Sequence, residues 1–364
     1  MTHGNHAINK RAAILIENGF EDVEFQVPYQ GLKMAGIEVV VLGSQMNQEY
    51  KGKQNKVSIQ TNGTTTVALA IDFDAVVIPG GIAPAKMRIN PNTIRFVQEA
   101  MAQGKLVAAV SHGPQVLISA DLLKGKRATS FIDIRQDLVN AGATYLDRPF
   151  VIDDNLLTAR QPGDLAIFTT ALLNRLGYGG KEVALPNEND VNAEWWKLAD
   201  AWGGSTKGEI VQALNTALVG EHYSQETLEH YVEKIAQNLE VRSLLQEMIQ
   251  NKQQTIQVLE ARLHELGEKP SLKIQAADAY AKFKTMLQGN DEMFLLRSAL
   301  HITQIGAVDS YELRHKYTDP KSTAIFTQMQ ADLTHHEQRL GQLYRSWMVA
   351  QRQANIRAGT GTTA

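Results

Sequence analysis

The chain has 364 residues, of which 43% are hydrophobic and 21% charged, with a net charge of −3 and no cysteine. This length points to two domains, and the near-neutral balance removes any bulk electrostatic case for nucleic acid or an anionic membrane. The lack of cysteine excludes disulfides, thiolate metal sites and a thiol nucleophile.

The N-terminus, MTHGNHAINKRAAILI, lacks the long apolar stretch of a signal peptide, and no run reaches the roughly 18 apolar residues of a membrane span. A cytoplasmic protein is expected. His3 and His6 fall in this terminus and are given no metal role. Ala12–Ile16 reads as a buried strand, Glu21 to Ala35 as a helix ended by Gly36, and Val39–Leu42 as a second strand. Asp74–Ile78 leads into Pro-Gly-Gly, Asn92 to Gln103 is helical, and Leu106–Val110 is a further strand. Helices are expected from about Ile134 to Ala141 and from Asp164 to Leu176. Short apolar strands alternating with helices predict an α/β domain: a parallel sheet with helices on both faces. Sites in such sheets lie at the carboxyl ends of the strands, where Gly80, Gly81 and Ser111 fall.

The strand at 106–110 ends abruptly in Ser111-His112-Gly113-Pro114, and a helical pattern carrying Val116, Leu117, Leu122 and Leu123 follows at once. Gly113 and Pro114 supply backbone freedom and a helix start. This joint lifts one hydroxyl above the sheet beside a helix N-terminus, where negative charge is favoured. Enzymes present nucleophiles this way, and the same turn suits a capping serine.

Residues 179–204 have the Gly, Pro and polar content of a linker. Trp195, Trp196 and Trp202 cluster there and are expected to dock the second domain or a partner. From 205 to 352 the pattern is helical, with stripes such as Ile210, Leu214, Leu218 and Leu228, and Leu245, Met248, Ile256 and Leu259. Amphipathic segments of this kind predict a four-helix bundle. The connection at 270–290 has room for a short helix of its own, and residues 353–364 are expected to be a disordered tail.

Four motifs stand together in the first half: FEDVE at 20–24, PGG at 79–81, SHGPQVLISADLLKGKRATS at 111–130 and ARQPGDL at 159–165. In order and spacing they resemble the ThiJ/PfpI family, of flavodoxin-like fold and related to class I glutamine amidotransferases, over residues 10–178. The resemblance implies a domain that dimerises or assembles further, among intracellular peptidases, glyoxalases, deglycases, chaperones and stress proteins. It implies Cys then His at the elbow, where this chain has Ser111 and His112. It implies a carboxylate matching Glu24 against the nucleophile, and backbone amides matching Gly81 and His112, with Gly80 and Gly113, around an oxyanion or ligand. In the peptidase-like branch an acid from a neighbouring subunit orients the histidine; Ala85 stands at that position.

A hydroxyl ionises far less readily than a thiol and needs a positioned base with its own orienting group. The expectation is therefore a stress-type protein with a catalytically weak or silent Ser111 pocket for a small carbonyl or anionic molecule or a peptide. The alternatives are a hydrolase with Ser111 as nucleophile, His112 as base and Glu24 as orienter or proton holder, and a non-catalytic interaction module. A homo-oligomer, without nucleic acid, membrane or cofactor, is expected.

The second half is similar to ferritin-like bundles. A di-iron member needs a Glu from each of two helices and Glu-x-x-His from each of the other two. Here Glu221 lies on the inward stripe, but Lys252 holds the interior polar position of the next helix. Glu247-x-x-Gln250 lacks the histidine, Thr303, Gln304 and Ala307 offer no carboxylate, and Asp332-x-x-His335 is followed by His336 on the stripe. A protonated lysine ligates no metal, so no metal is expected. Two arrangements remain open: Lys252 pairs with Glu221 inside the bundle near Asp332 or His336, or it snorkels to solvent.

Overall fold

The computed structural model describes residues 10–178, 185–235, 238–271 and 291–359. The chain forms two compact units. One comprises Met1–Thr206 with Tyr317–Pro320, and the other Lys207–Lys316 with Lys321–Ala364. His3, His6 and most of the 270–290 connection lie outside the described residues.

The first unit is built on a seven-stranded sheet of order β10-β11-β7-β6-β1-β2-β5. Its strands are β1 (Arg11–Leu15), β2 (Glu38–Gly43), β5 (Gly63–Thr64), β6 (Ala75–Ile78), β7 (Leu106–Val110), β10 (Phe150–Asp153) and β11 (Leu156–Ala159). Every pairing is parallel except β10 with β11. β6 and β7 are buried at every position. This is why they read as unbroken apolar runs: both faces of the sheet are covered. Two small ribbons complete the strands, β3 (Glu49–Lys51) with β4 (Ser58–Gln60) and β8 (Arg127–Ala128) with β9 (Thr144–Tyr145).

Helices α1 (Asp22–Met34), α2 (Ala83–Met87), α3 (Pro91–Ala102), α4 (Pro114–Ser119), α5 (Arg135–Asn140) and α6 (Leu165–Arg175) give the flavodoxin-like arrangement. From β1 the chain moves outward to β2, then returns past β1 to β6 and β7. The crevice where this order reverses lies at the carboxyl ends of β1 and β6, the usual place for a site in open α/β sheets.

The segment read as a linker carries α7 (Trp195–Ala201), which packs on α6. Trp195 is buried with Ala166, Ile167 and Ala199, and its indole N–H donates to the Asp190 carbonyl. Trp202 joins the main core and lies over Gly31. These two indoles, expected to dock a second domain or partner, are consumed inside the α/β unit. Trp196, between them, stays partly exposed. The physical reason is area: α6 is apolar nearly all round and needs a second covering layer.

The second unit contains α8 (Lys207–Lys234), α9 (Leu239–Glu265), α10 (Glu292–Lys316) and α11 (Pro320–Gly359). Asn238 caps α9 by accepting from the Val241 N–H at 3.1 Å. Leu228, Tyr231, Leu245, Met248, Leu296 and Leu340 belong to its core. A polar layer crosses the middle of the helices: Glu221, Lys252, Thr303 and His336 are all buried. Buried Ser224, Thr227 and Thr303 satisfy their hydroxyls on carbonyls four residues back in their own helices. Helical backbone continues to Gly359, past residue 352 where a disordered tail was expected. Its Gln-, Arg- and Ala-containing sequence favours helix. Among the described residues no helix is long and apolar enough to cross a membrane.

Candidate active site

Ser111 follows the last residue of β7 and adopts φ 60°, a left-handed conformation unusual for a residue with a side chain. The turn is fixed on both sides. Ser111 N–H donates to the Ala159 carbonyl at 3.0 Å, the Ser111 carbonyl accepts from Phe131 N–H at 3.0 Å, and Gly113 N–H returns to Val110 at 2.8 Å. A side chain at 113 would stand 2.3 Å from the Ile78 carbonyl, so only glycine lets the elbow press onto β6.

Glu24, on the first turn of α1, is fully buried and accepts from the Gly80 N–H at 2.8 Å. Burial, reinforced by the neighbouring Glu21 carboxylate, holds Glu24 well above the ordinary carboxylate range. The Gly80 N–H, a hydrogen bond with the Ser111 hydroxyl and the Lys53 charge pull the other way. Burial raises Glu21 too, against Lys53. Glu21 faces the loop between β3 and β4. Asp22 pins that loop by accepting N–H bonds from Gln54, Lys56 and Val57 at 2.8, 2.9 and 2.7 Å. The Gln54 amide then reaches Glu21 at 3.0 Å.

His112 Nδ1 lies 3.2 Å from Ser111 Oγ, and its Nε2 lies 2.9 Å from Asp133 Oδ2. The imidazole stacks on Phe131 with ring centroids 5.2 Å apart. In the tautomer that donates from Nε2 to Asp133, the Nδ1 lone pair faces the serine hydroxyl. The carboxylate that meets His112 is therefore Asp133, not Glu24. It comes from a 3₁₀ turn at Ile132–Ile134 of the same chain, so Ala85 does not leave the imidazole without an acid. Asp133 lay outside the sequence reading because it is half-exposed and sits in an irregular turn with no periodic pattern. The side chains of His112 and Asp133 are 26% and 50% exposed.

Gly80 and Gly81 form the facing wall. Glu21 N–H donates to Gly80 O and Ile82 N–H to Gly19 O, which holds the turn while Gly81 adopts φ 77°. The Gly81 and His112 N–H groups take no backbone acceptor among the described residues. A Cβ on Gly80 would lie 2.8 Å from the His112 nitrogen, which measures how closely the two walls approach. Glu24, Gly80, Ser111 and His112 are thus neighbours around the elbow, whereas Gly113 packs on β6 with its N–H spent on the Val110 carbonyl and Gly81 lies against the Gly19–Glu21 backbone. Among the described residues no three His, Asp or Glu side chains form a group able to hold a metal ion.

A solved structure from Anabaena variabilis, of a two-domain protein containing DJ-1/ThiJ/PfpI-like and ferritin-like domains, is 60% identical to this chain. It covers 94% of this chain and 96% of its own, with a TM-score of 0.87. Two relatives match only the first half. Deglycase PfpI of Pyrococcus furiosus is 42% identical over 42% of this chain and 90% of its own length. General stress protein 18 of Bacillus subtilis is 36% identical over 44% and 94%. The model of the DJ-1/PfpI family matches residues 10–175. With relatives of this identity covered over nearly their whole length, this chain belongs to the DJ-1/PfpI family, its family domain followed by a ferritin-like helical bundle.

Proposed function

We propose that the pocket is a slow, serine-based hydrolytic site for small carbonyl compounds, of the deglycase or peptidase type. The observation that carries this reading is the run Ser111–His112–Asp133, with contacts of 3.2 and 2.9 Å. Ser111 Oγ attacks the substrate carbonyl carbon while its proton passes to His112 Nδ1. The resulting oxyanion is stabilised by the Gly81 and His112 N–H groups. In an ester or peptide substrate the bond from the carbonyl carbon to the alcohol or amine then breaks, the departing group takes the proton from His112, and water, giving its own proton to His112, hydrolyses the acyl–Ser111 ester and restores the hydroxyl. Relatives named as deglycases support the substrate class.

The site is expected to be slow because its orienting pair is solvated. A polar pair this open to water, with His112 26% and Asp133 50% exposed, contributes about 1 kcal/mol or less. A second reading, a pocket that binds a small carbonyl or anionic ligand without turnover, is favoured by the burial of Ser111, which is 5% exposed. Assembly into a dimer or larger oligomer belongs to the same proposal. Ile82 and Ile89, which flank α2 beside the Gly81 turn, leave 56% and 81% of their surfaces exposed.

A fluorophosphonate probe, with a nitrophenyl ester and a methylglyoxal–amine adduct as substrates, separates the readings. Labelling at Ser111 with turnover lost in Ser111→Ala is expected. Binding without labelling or turnover supports the silent pocket. Iodoacetamide is expected to leave activity unchanged, since the chain has no cysteine.

A further inference from the structure

The ferritin-like fold of the second unit implies a metal centre at mid-helix, built from inward carboxylates and histidines. The side chains at that level do not fit one. α8 contributes Glu221, as such a centre requires, but α9 contributes Lys252, α10 contributes Thr303 and α11 contributes His336. The Thr303 hydroxyl is spent on the Ala299 carbonyl. The carboxylates on the neighbouring turns are engaged elsewhere. Glu247 pairs with Arg339, and Asp332 accepts from the Asn251 and Gln328 amides. His335, at the Glu-x-x-His spacing from Asp332, is exposed.

The space is instead filled by an ion pair. Lys252 Nζ lies 3.1 and 3.2 Å from the two oxygens of Glu221. The side chains are 5% and 8% exposed, so Lys252 does not snorkel. A protonated ammonium donates hydrogen bonds and has no lone pair for a metal. A buried carboxylate without a counter-charge is strongly disfavoured. The ammonium supplies the positive charge that a metal ion supplies elsewhere in this fold.

We propose that Lys252 is the resident cation of the bundle: it neutralises Glu221 at the mid-helix level and closes that level to metal ions. His336 fits the same reading. Its environment comprises Lys252 and Glu247 on α9 with Asp332 and His335 on α11, and burial first, with the His335 and Lys252 charges, pushes it below its ordinary value against Glu247 and Asp332.

The test uses the full chain and reads thermal unfolding and metal uptake, neither of which depends on activity of the other unit. Lys252→Met strands the Glu221 carboxylate. The bundle transition is expected to fall by on the order of 10 °C, the effect of breaking a buried pair in a unit of this size. The double variant Glu221→Leu/Lys252→Met, which removes both charges, is expected to recover most of that loss. If Lys252→Met does not fold, recovery of folding in the double variant carries the same meaning. An unchanged transition in Lys252→Met, or no recovery in the double variant, overturns the proposal. In parallel, the wild-type chain is titrated anaerobically with Fe(II) and with Mn(II). The expectation is no stoichiometric uptake, or only uptake that persists in the double variant and so lies elsewhere. One or two ions bound per chain by the wild type and lost in the double variant would overturn it.

Discussion

His112 Nε2 stands 2.9 Å from Asp133 Oδ2, so the elbow imidazole finds its carboxylate within its own chain, 21 residues on. Asp133→Asn keeps the shape and removes the charge that holds the proton on Nε2. Because Asp133 is half-exposed, kcat/KM for an activated ester is expected to fall only about three- to fivefold, the worth of a solvated pair. A fall of a hundredfold or more would show that the pair works in a far drier state, and no fall would remove Asp133 from the mechanism.

Ser111 holds a left-handed backbone at φ 60°, which costs a residue with a Cβ roughly 1 kcal/mol or more. Ser111→Ala and Ser111→Gly both delete the hydroxyl and abolish labelling, but only glycine relieves the backbone. The glycine variant is expected to be more stable than the alanine variant by up to about 1 kcal/mol, with greater unfolded-chain entropy opposing the relief. Denaturant melts of the two variants decide it. Equal stabilities would mean that the elbow stores no strain.

Glu24 carries a pH signature. Its folded-state value is raised well above 4.5 by burial first and Glu21 second. Below the unfolded value both states hold the proton, and the group contributes no pH dependence. Between the unfolded and folded values the native state binds more protons, so stability falls as pH rises, levelling off above the folded value. Glu24→Gln retains an acceptor for the Gly80 N–H and removes the titration. Its stability is expected to be flatter with pH, and the gap to the wild type to change in its favour as pH rises. Parallel profiles from pH 4 to 9 would mean that Glu24 ionises normally in the fold.

Much of this was legible because burial leaves a pattern in residues. β1, β6 and β7 announce themselves as apolar runs, and Ser111, Gly80 and Gly81 follow from where those runs stop. The bundle's 3.6-residue stripe placed Glu221 and Lys252 inward, and the two side chains meet there. The β3–β4 ribbon was not legible, since EYK and SIQ are short, polar strands with one inward residue each. Asp133 was missed for a related reason: its role depends on a turn bringing it to His112, and exposed turn carboxylates carry no periodicity. Trp195 and Trp202 misled because a polar, glycine-containing context resembles a linker whether or not its indoles are buried.

Gly80 supplies the sharpest steric test of the pocket. A Cβ there would stand 2.6 Å from Glu24 Oε2, 2.8 Å from the His112 nitrogen and 2.9 Å from Ser111 Cβ. The first neighbour is hydrogen-bonded to Gly80 itself, and the second is backbone of the elbow, so neither is a flexible end that can swing aside. Gly80→Ala is expected to destabilise the first unit by about 1–3 kcal/mol, the range for overpacking. Because misplacement by about 1 Å can cost a hundredfold in rate, Ser111 labelling is expected to slow by about that factor. Gly220 on α8 provides the contrast: among the described residues, apart from its chain neighbours and its own helix backbone, no atom lies within 4 Å of a Cβ built there. Gly220→Ala is expected to stabilise the bundle by about 0.5–1 kcal/mol through helix propensity. Melting curves and labelling rates of the two variants check both signs. A Gly80→Ala chain that labels at the wild-type rate would mean that the elbow and the glycine turn are not packed as tightly as 2.8 Å implies.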